Sequence, residues 1–575
     1  MKDSSRIASW LRISGLCCLI VLQGLLLAQC AATSRDGNGA SGTPPAGPGP
    51  PPSPSPTPAP TPPPASSPTD VLTWHNDNAR TGQNLTETTL TPSNVNANSF
   101  GKLFTIAVDG KVDAQPLYVS GLAIPGDGTH NVLFVASEHD SVFAFDADSG
   151  VRIWQASMLK PGETTSDVRR CGQIVPEIGV TATPVIDRKS GAHGTIYVVA
   201  MSRQGSENYF HRLHALDLAT GAEEFGGPVD IHATFPGSGD GSSGGKVIFD
   251  PGQYDDRPGL LLVNGVVYTS WSSHCDIRPY TGWIMGYDES NLSQTSVLNV
   301  APNGNEASFW NSGAGPAADA SGNIYQLVAN GTFDTMLNAN GFPAGGDYGN
   351  AFIRVSTANR QLLVADYFTE FDAVQESDAD VDLGSGGAMV LPDLQDAQGH
   401  TRHLAVGAGK DRNIYLVDRD NMGKFNPSKN NIYQELPSAL AGQEFATPAY
   451  FNGRIFYGAV GDRLKAFAFS GGQLGASPSS QTHNSFGYPG ATPAISANGA
   501  SNAIVWAAQN GSTAVLHAYD ASDLSRELYN SNQAGGGRDH FGAGDKFIVP
   551  TVANGKVYVG TTSGVGVFGL LHWKR

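Results

Sequence analysis

Between residue 100 and residue 571 the chain alternates short apolar runs with polar turns, and two patterns recur through that alternation. The first is a Pro, a short apolar run, Asn-Gly or a similar turn, and then Val-Tyr or Ile-Tyr. It is seen at Thr183-Pro184-Val185-Ile186-Asp187, at Pro258 before Asn264-Gly265-Val266-Val267-Tyr268, and at Pro316 before Gly322-Asn323-Ile324-Tyr325. Pro448 before Asn452-Gly453, Pro493, and Pro550 before Asn554-Gly555-Lys556-Val557-Tyr558 repeat it. The second is A-x-D-x-x-[ST]-G-x-x-x-aromatic, complete at Ala144–Trp154, repeated by Ala215, Asp217, Thr220, Gly221 and Phe225, and degraded at Ala518–Leu528 and Gly286–Asn291. Apolar runs joined by tight turns predict strands, and self-similarity over a long period predicts one supersecondary unit used many times, as in propeller blades.

The Pro elements stand at 116, 184, 258, 316, 448, 493 and 550. The double gap after 316 is filled by Gly384–Leu391, which lacks the Pro, and by the strand-like Asn413–Asp418. Eight units of roughly 60 residues follow, each with room for four strands. The last unit holds only three strands before Leu571, and Lys102–Val108 is the expected fourth. Pairing the two ends leaves no open edge. The pattern thus predicts an all-β, eight-bladed β-propeller whose N-terminal strand closes the last blade.

The first 69 residues follow different rules. Lys2, Arg6 and Arg12 lead into the apolar stretch Ile13–Ala28, so residues 1–30 read as a signal peptide. The stretch ends Leu27-Ala28-Gln29-Cys30, similar to the box at which a bacterial lipoprotein is cleaved and lipidated on its Cys; Gln29 departs from the small residue usual there. Cys30 is accordingly a lipidation site, with cleavage nearby and secretion as the other reading. Residues 31–69 are rich in Gly, Pro, Ser and Thr and read as an extended, disordered tether. Residues 70–575 form the propeller, with no apolar run long enough to span a bilayer, so membrane contact is expected only through the lipid anchor.

A formal net charge of −17 argues against a nucleic-acid partner. Beyond the leader only Cys171 and Cys275 remain, either as one disulfide of an exported protein or as two unrelated thiols. No C-x-x-C-H occurs, so no covalent haem is expected. Gly241-Ser242-Ser243-Gly244-Gly245 matches G-x-S-x-G by letter but lies in a Gly/Ser loop. His211 and His214, three apart on a strand, point to opposite faces.

The A-x-D-x-x-[ST]-G-x-x-x-W frame resembles the tryptophan-docking repeat of the pyrroloquinoline-quinone (PQQ) dehydrogenase superfamily, over residues 70–571. The lead-in Trp74-His75-Asn76-Asp77-Asn78-Ala79-Arg80 is similar as well. The same repeat also builds non-catalytic proteins, including an envelope lipoprotein scaffold. In the quinoprotein alcohol dehydrogenases, PQQ lies on a Trp ring and is chelated to Ca²⁺ by a Glu, an Asn and an Asp, with a basic residue at the quinone and an Asp as base. The resemblance implies Trp310 as the stacking ring and Lys410 at the quinone. Glu207 (with a one-residue gap), Asn330 and Asp382 become Ca²⁺ ligands, and Asp380 and Asp382 catalytic carboxylates. Each also has a structural reading: inter-blade packing for Trp310, a turn for Asn330-Gly331, a solvated charge for Lys410, surface-strand residues for Asp378, Asp380 and Asp382.

The family's two adjacent cysteines are missing. Cys171 stands alone, and Pro176-Glu177-Ile178-Gly179-Val180 replaces the following Arg-Gly region. Two functions are therefore expected. One is an exported quinoprotein that binds PQQ and calcium and oxidises a small alcohol or sugar. The other is a non-catalytic propeller serving as an envelope scaffold or ligand-binding lipoprotein with a protein partner, in the outer membrane facing periplasm or cell surface, or secreted.

Overall fold

A computed structural model describes residues 69–571, so the leader, Cys30 and all of the tether but Thr69 lie outside the described residues. The described chain is nearly all β, with a single α-helix, Ala373–Asp378, and it fits a β-propeller. Eight sheets of four or five strands follow one another along it, besides smaller two- and three-stranded ones. The first runs Leu117–Ile124, Gly128–Ser137, Ser141–Asp146, Arg152–Ser157, each strand antiparallel to the next.

The Pro elements mark where the sheets begin. Pro116, Pro184, Pro316, Pro448, Pro493 and Pro550 each immediately precede a strand of a larger sheet, and Pro258 lies three residues before Leu261–Val263. Pro lacks an N–H and is tolerated at the start of a strand, so the spacing of the sheets is written in its positions. First strands of neighbouring sheets contact one another: Ala449–Phe451 with Ala494–Asn498, Ala494–Asn498 with Thr551–Ala553, and Thr551–Ala553 with Leu117–Ile124. The last sheet in sequence therefore packs on the first.

That last sheet is completed from the other end of the chain. Phe100–Ala107 pairs antiparallel with Gly564–Leu570, in a register that sets Ile106 opposite Val565 and Lys102 opposite Phe568. A C-terminal hairpin of three strands thus gains its fourth from a segment more than 450 residues upstream, which removes an exposed edge.

The second repeat pattern is a turn and a docking site. Asp146 Oδ1 accepts from the Ser149 N–H at 2.7 Å, and Asp217 Oδ1 from the Thr220 N–H at 2.9 Å, closing side-chain turns. The Gly that follows has φ of 75° in one case and 69° in the other, which a side chain would disfavour. Trp154 packs against the second of these turns. Its indole donates to Leu218 O at 2.9 Å, and a Cβ on Gly221 would lie 2.7 Å from the ring. The Trp of one sheet is thereby locked onto the turn of the next.

The lead-in joins sheets distant in sequence. His75 is fully buried between Arg80 O and Pro493 O, at 2.7 and 2.8 Å. Arg80, also fully buried, donates to Pro316 O, Thr73 Oγ1, Trp74 O and Leu260 O at 2.8–3.2 Å.

Candidate functional site

Trp310, Asn330, Asp380, Asp382 and Lys410 line one cavity of about 300 Å³. Two adjacent sheets bring them together. Trp310 precedes the fourth sheet's first strand, Ala317–Ala318, and Asn330 follows its second, Ile324–Leu327. Asp380 and Asp382 precede the fifth sheet's first strand, Met389–Val390, and Lys410 follows its second, Leu404–Ala408. The same inter-strand positions recur from sheet to sheet, so loops 100 residues apart open onto one end.

Lys410 Nζ lies 2.9 Å from Asp382 Oδ1 and also bridges to Asp380. The Asn330 amide donates to Asp380 Oδ1 at 2.6 Å, while its own Oδ1 is buried without a partner. The two carboxylates differ in setting: the Asp382 side chain is 3% exposed and that of Asp380 68%. Burial raises Asp382 above the usual carboxylate range, with Lys410 pulling the other way. Burial also disfavours the Lys410 charge, but Asp382 and Asp380 outweigh it and hold the ammonium protonated. A buried carboxylate with a raised pKa is a stronger base, and an ammonium beside it a hydrogen-bond donor.

The Asp cluster is not a surface strand. Asp378 ends the helix Ala373–Asp378, Asp380 is left-handed at φ 56°, and Asp382 leads into a 3-10 turn, Leu383–Ser385. Cys275, Asp276 and Ser312, which also line the cavity, are left-handed too, with φ of 53°, 53° and 51°. Such conformations cost about 1–3 kcal/mol each and persist where surrounding contacts impose them. Cys275 is disulfide-bonded to Cys171, with Cα atoms 5.5 Å apart.

Glu207 is the correction. It sits exposed in the hairpin between Thr195–Gln204 and Asn208–Asp217, whose register opposes Asn208 to Gln204 and leaves Gly205-Ser206-Glu207 as the turn. It is not among the cavity residues. Glu177 is bonded by His139 Nδ1 and Thr165 Oγ1 at 3.0 and 2.7 Å and closes a loop. His211 and His214 have separate partners, Tyr254 O and Glu223. Among the described residues no three His, Cys, Asp or Glu side chains gather as a metal site.

The sequence reading missed the remaining walls: Gln173, Asp276 and Gln443 as polar groups, Phe445, Tyr488 and Phe547 as rings. They come from loops of several sheets, and no local pattern marks them. It also missed a buried charged patch behind Phe547, whose ring lies 4.7 Å from the Arg257 guanidinium. Arg257 meets Asp113 at 3.2 Å, and Lys111 meets Asp545 at 3.0 Å. Burial raises Glu138 and Asp256 well above the ordinary range and Asp255 to about 7, with Arg257 opposing at Asp255.

A pH dependence follows from Asp255. Its folded pKa of about 7 exceeds its ordinary 3.8, so its contribution is complete below pH 3.8 and is lost as pH rises towards and through 7. Three units correspond to about 4 kcal/mol at most. Asp255→Asn should therefore flatten the fall in stability between pH 4 and pH 8 seen in denaturant titrations; an unchanged slope would contradict this.

No family model matches the chain, and no curated protein does. Solved structures do resemble it. The quinohemoprotein alcohol dehydrogenase from Comamonas testosteroni is 14% identical with a TM-score of 0.58, over 87% of this chain and 80% of that one. The quinohemoprotein alcohol dehydrogenase ADHIIG from Pseudomonas putida HK5 is 14% identical with a TM-score of 0.56, over 88% and 80%. A europium-containing methanol dehydrogenase is 12% identical with a TM-score of 0.54, over 88% and 98%. At such identities the likeness is one of fold, and the fold this chain shares is that of the quinoprotein alcohol and methanol dehydrogenases.

Proposed function

We propose that the eight larger sheets are the blades of one closed propeller, and that the chain is an exported quinoprotein-like protein which binds PQQ and calcium and oxidises an alcohol or sugar. The observation that carries this reading is the meeting of Trp310, Asn330, Asp380, Asp382 and Lys410 in one cavity. The donor set fits a hard cation: Asn330 Oδ1 is buried and unpartnered, and the Asp382 carboxylate is beside the same cavity. Asn330 and Asp382 would hold the ion, Trp310 would present its ring to the quinone, and Lys410 would hydrogen-bond a quinone oxygen. A bound quinone supplies a two-electron acceptor. Asp382, raised by burial, or the more exposed Asp380 accepts the substrate hydroxyl proton. The Cys171–Cys275 disulfide supports an oxidising compartment, in keeping with export and a lipid anchor at Cys30.

The second reading is a non-catalytic envelope propeller with a protein partner. It is favoured by Lys410 already spanning both carboxylates, which pairs Asp380 and Asp382 without an ion. A dye-linked dehydrogenase assay after reconstitution with PQQ and Ca²⁺, over a panel of alcohols and sugars, separates the two. Turnover that disappears in Asp382→Asn is expected. Bound quinone without turnover on any substrate would favour the second reading.

A further inference from the structure

Beyond that reading, we infer that Asp276 is a positioning residue which fixes the ring of Trp310 in the cavity, and that the Cys171–Cys275 disulfide fixes Asp276. Trp310 is half-buried, and its indole N–H donates to Asp276 Oδ1 at a long 3.4 Å. The same oxygen accepts from Tyr280 Oη at 2.9 Å and Ser273 Oγ at 3.1 Å. Tyr280 is buried, and burial together with Asp276 raises its phenol, so it stays a neutral donor. Asp276 Oδ1 is thus held from two sides and offered to the indole.

The backbone explains why this turn needs a clamp. Cys275 and Asp276 are consecutive left-handed residues, neither of them Gly. Their combined cost has to be met by contacts that exist only in this arrangement. The Asp276 N–H donates to Ser273 Oγ at 3.1 Å, which closes the turn from inside. The disulfide closes it from outside, tying Cys275 to the buried Cys171 across a sequence separation of 104. A crosslink between two distant loops, placed one residue from the acceptor of a cavity Trp, sets where that acceptor stands. Reduction frees the turn, and Trp310 loses its anchor without any change to the loop that carries it.

The test needs no cofactor, so its failure is distinct from failure of the quinoprotein reading. Acrylamide quenching is measured on the full chain, and the Trp310 component is taken as the difference from Trp310→Phe. Asp276→Ala should raise the population of released Trp310 about fivefold, the effect of losing one ordinary hydrogen bond. Asp276→Asn, which keeps an amide oxygen in place of Oδ1, should restore wild-type quenching. Dithiothreitol on the wild type should reproduce Asp276→Ala, with a thermal melt of each sample confirming that it remains folded. Unchanged quenching in Asp276→Ala, or Asp276→Asn behaving like Asp276→Ala, would overturn the inference. If the reduced protein unfolds, the two Asp276 variants decide alone.

Discussion

Replacing Arg80 with methionine should lower the unfolding free energy by about 3–5 kcal/mol, among the largest losses expected of any single substitution here. The guanidinium is 0% exposed and serves carbonyls from separate parts of the fold: Leu260 before the third sheet, Pro316 before the fourth, and Trp74 in its own segment. Burial pushes its pKa down to about 9, with Asp77 working against this, so it remains charged at neutral pH. Methionine matches the stem in size but leaves three buried carbonyls without donors. Lysine should fail nearly as badly, because a single ammonium cannot meet acceptors arranged around a planar fork. Urea midpoints at constant slope measure this. A loss below about 0.5 kcal/mol, the scale of an ordinary surface substitution, would mean that the lead-in is not the hub described.

Lys410→Met should abolish quinone binding and also destabilise the fold, with the second effect confined to high pH. Lys410 is the cation beside Asp382, whose side chain is 3% exposed. Without it, the main influence opposing burial at Asp382 is gone and its already raised pKa climbs further. Acidification towards pH 5 neutralises the carboxyl more readily in the variant, so less is lost there. At pH 8 the folded variant must either bury a bare carboxylate or take up a proton, a cost of about 3 kcal/mol. The double variant Lys410→Met/Asp382→Asn has no charge to bury, so it should recover stability at pH 8 while still failing to bind quinone. Melting temperatures at the two pH values provide the check. Equal losses at both would show that Lys410 acts through packing.

What could be read in the sequence was whatever local chemistry writes down. A Pro before seven of the eight sheets, an Asp that closes a turn onto a Ser or Thr, and a Trp that docks on the next Gly are all short-range patterns, and the structure contains them where the sequence implies. The pairing of the N-terminal strand was legible because a three-stranded last unit needs a fourth; only its bounds shifted, to Phe100–Ala107. Trp310, Asn330, the two Asp residues and Lys410, which line one cavity, are named by family order rather than geometry. Glu207 shows the weakness of that route. A one-residue gap was enough to assign a role to a residue in an exposed hairpin turn.

The rest was set by tertiary contacts that no local pattern records. Nothing local in the sequence marks Arg80 as buried, and it is a hub in the fold. Asp113, Glu138 and Asp255 come from separate segments and interact only in the folded chain. Asp276 depends on two successive left-handed residues, a conformation that composition does not announce in a Cys-Asp pair.

The central claim is that the cavity of Trp310, Asn330, Asp382 and Lys410 is a quinone and cation site. Equilibrium titration of the purified protein with PQQ, with and without Ca²⁺, followed through the quinone absorbance, tests it most directly. The account predicts saturable binding at one site, strengthened by Ca²⁺, weakened at least about tenfold by Asn330→Ala, and lost in Trp310→Ala, as removal of a ligand or a stacking ring requires. Absence of binding under both conditions, or binding that those two substitutions leave unchanged, would contradict it.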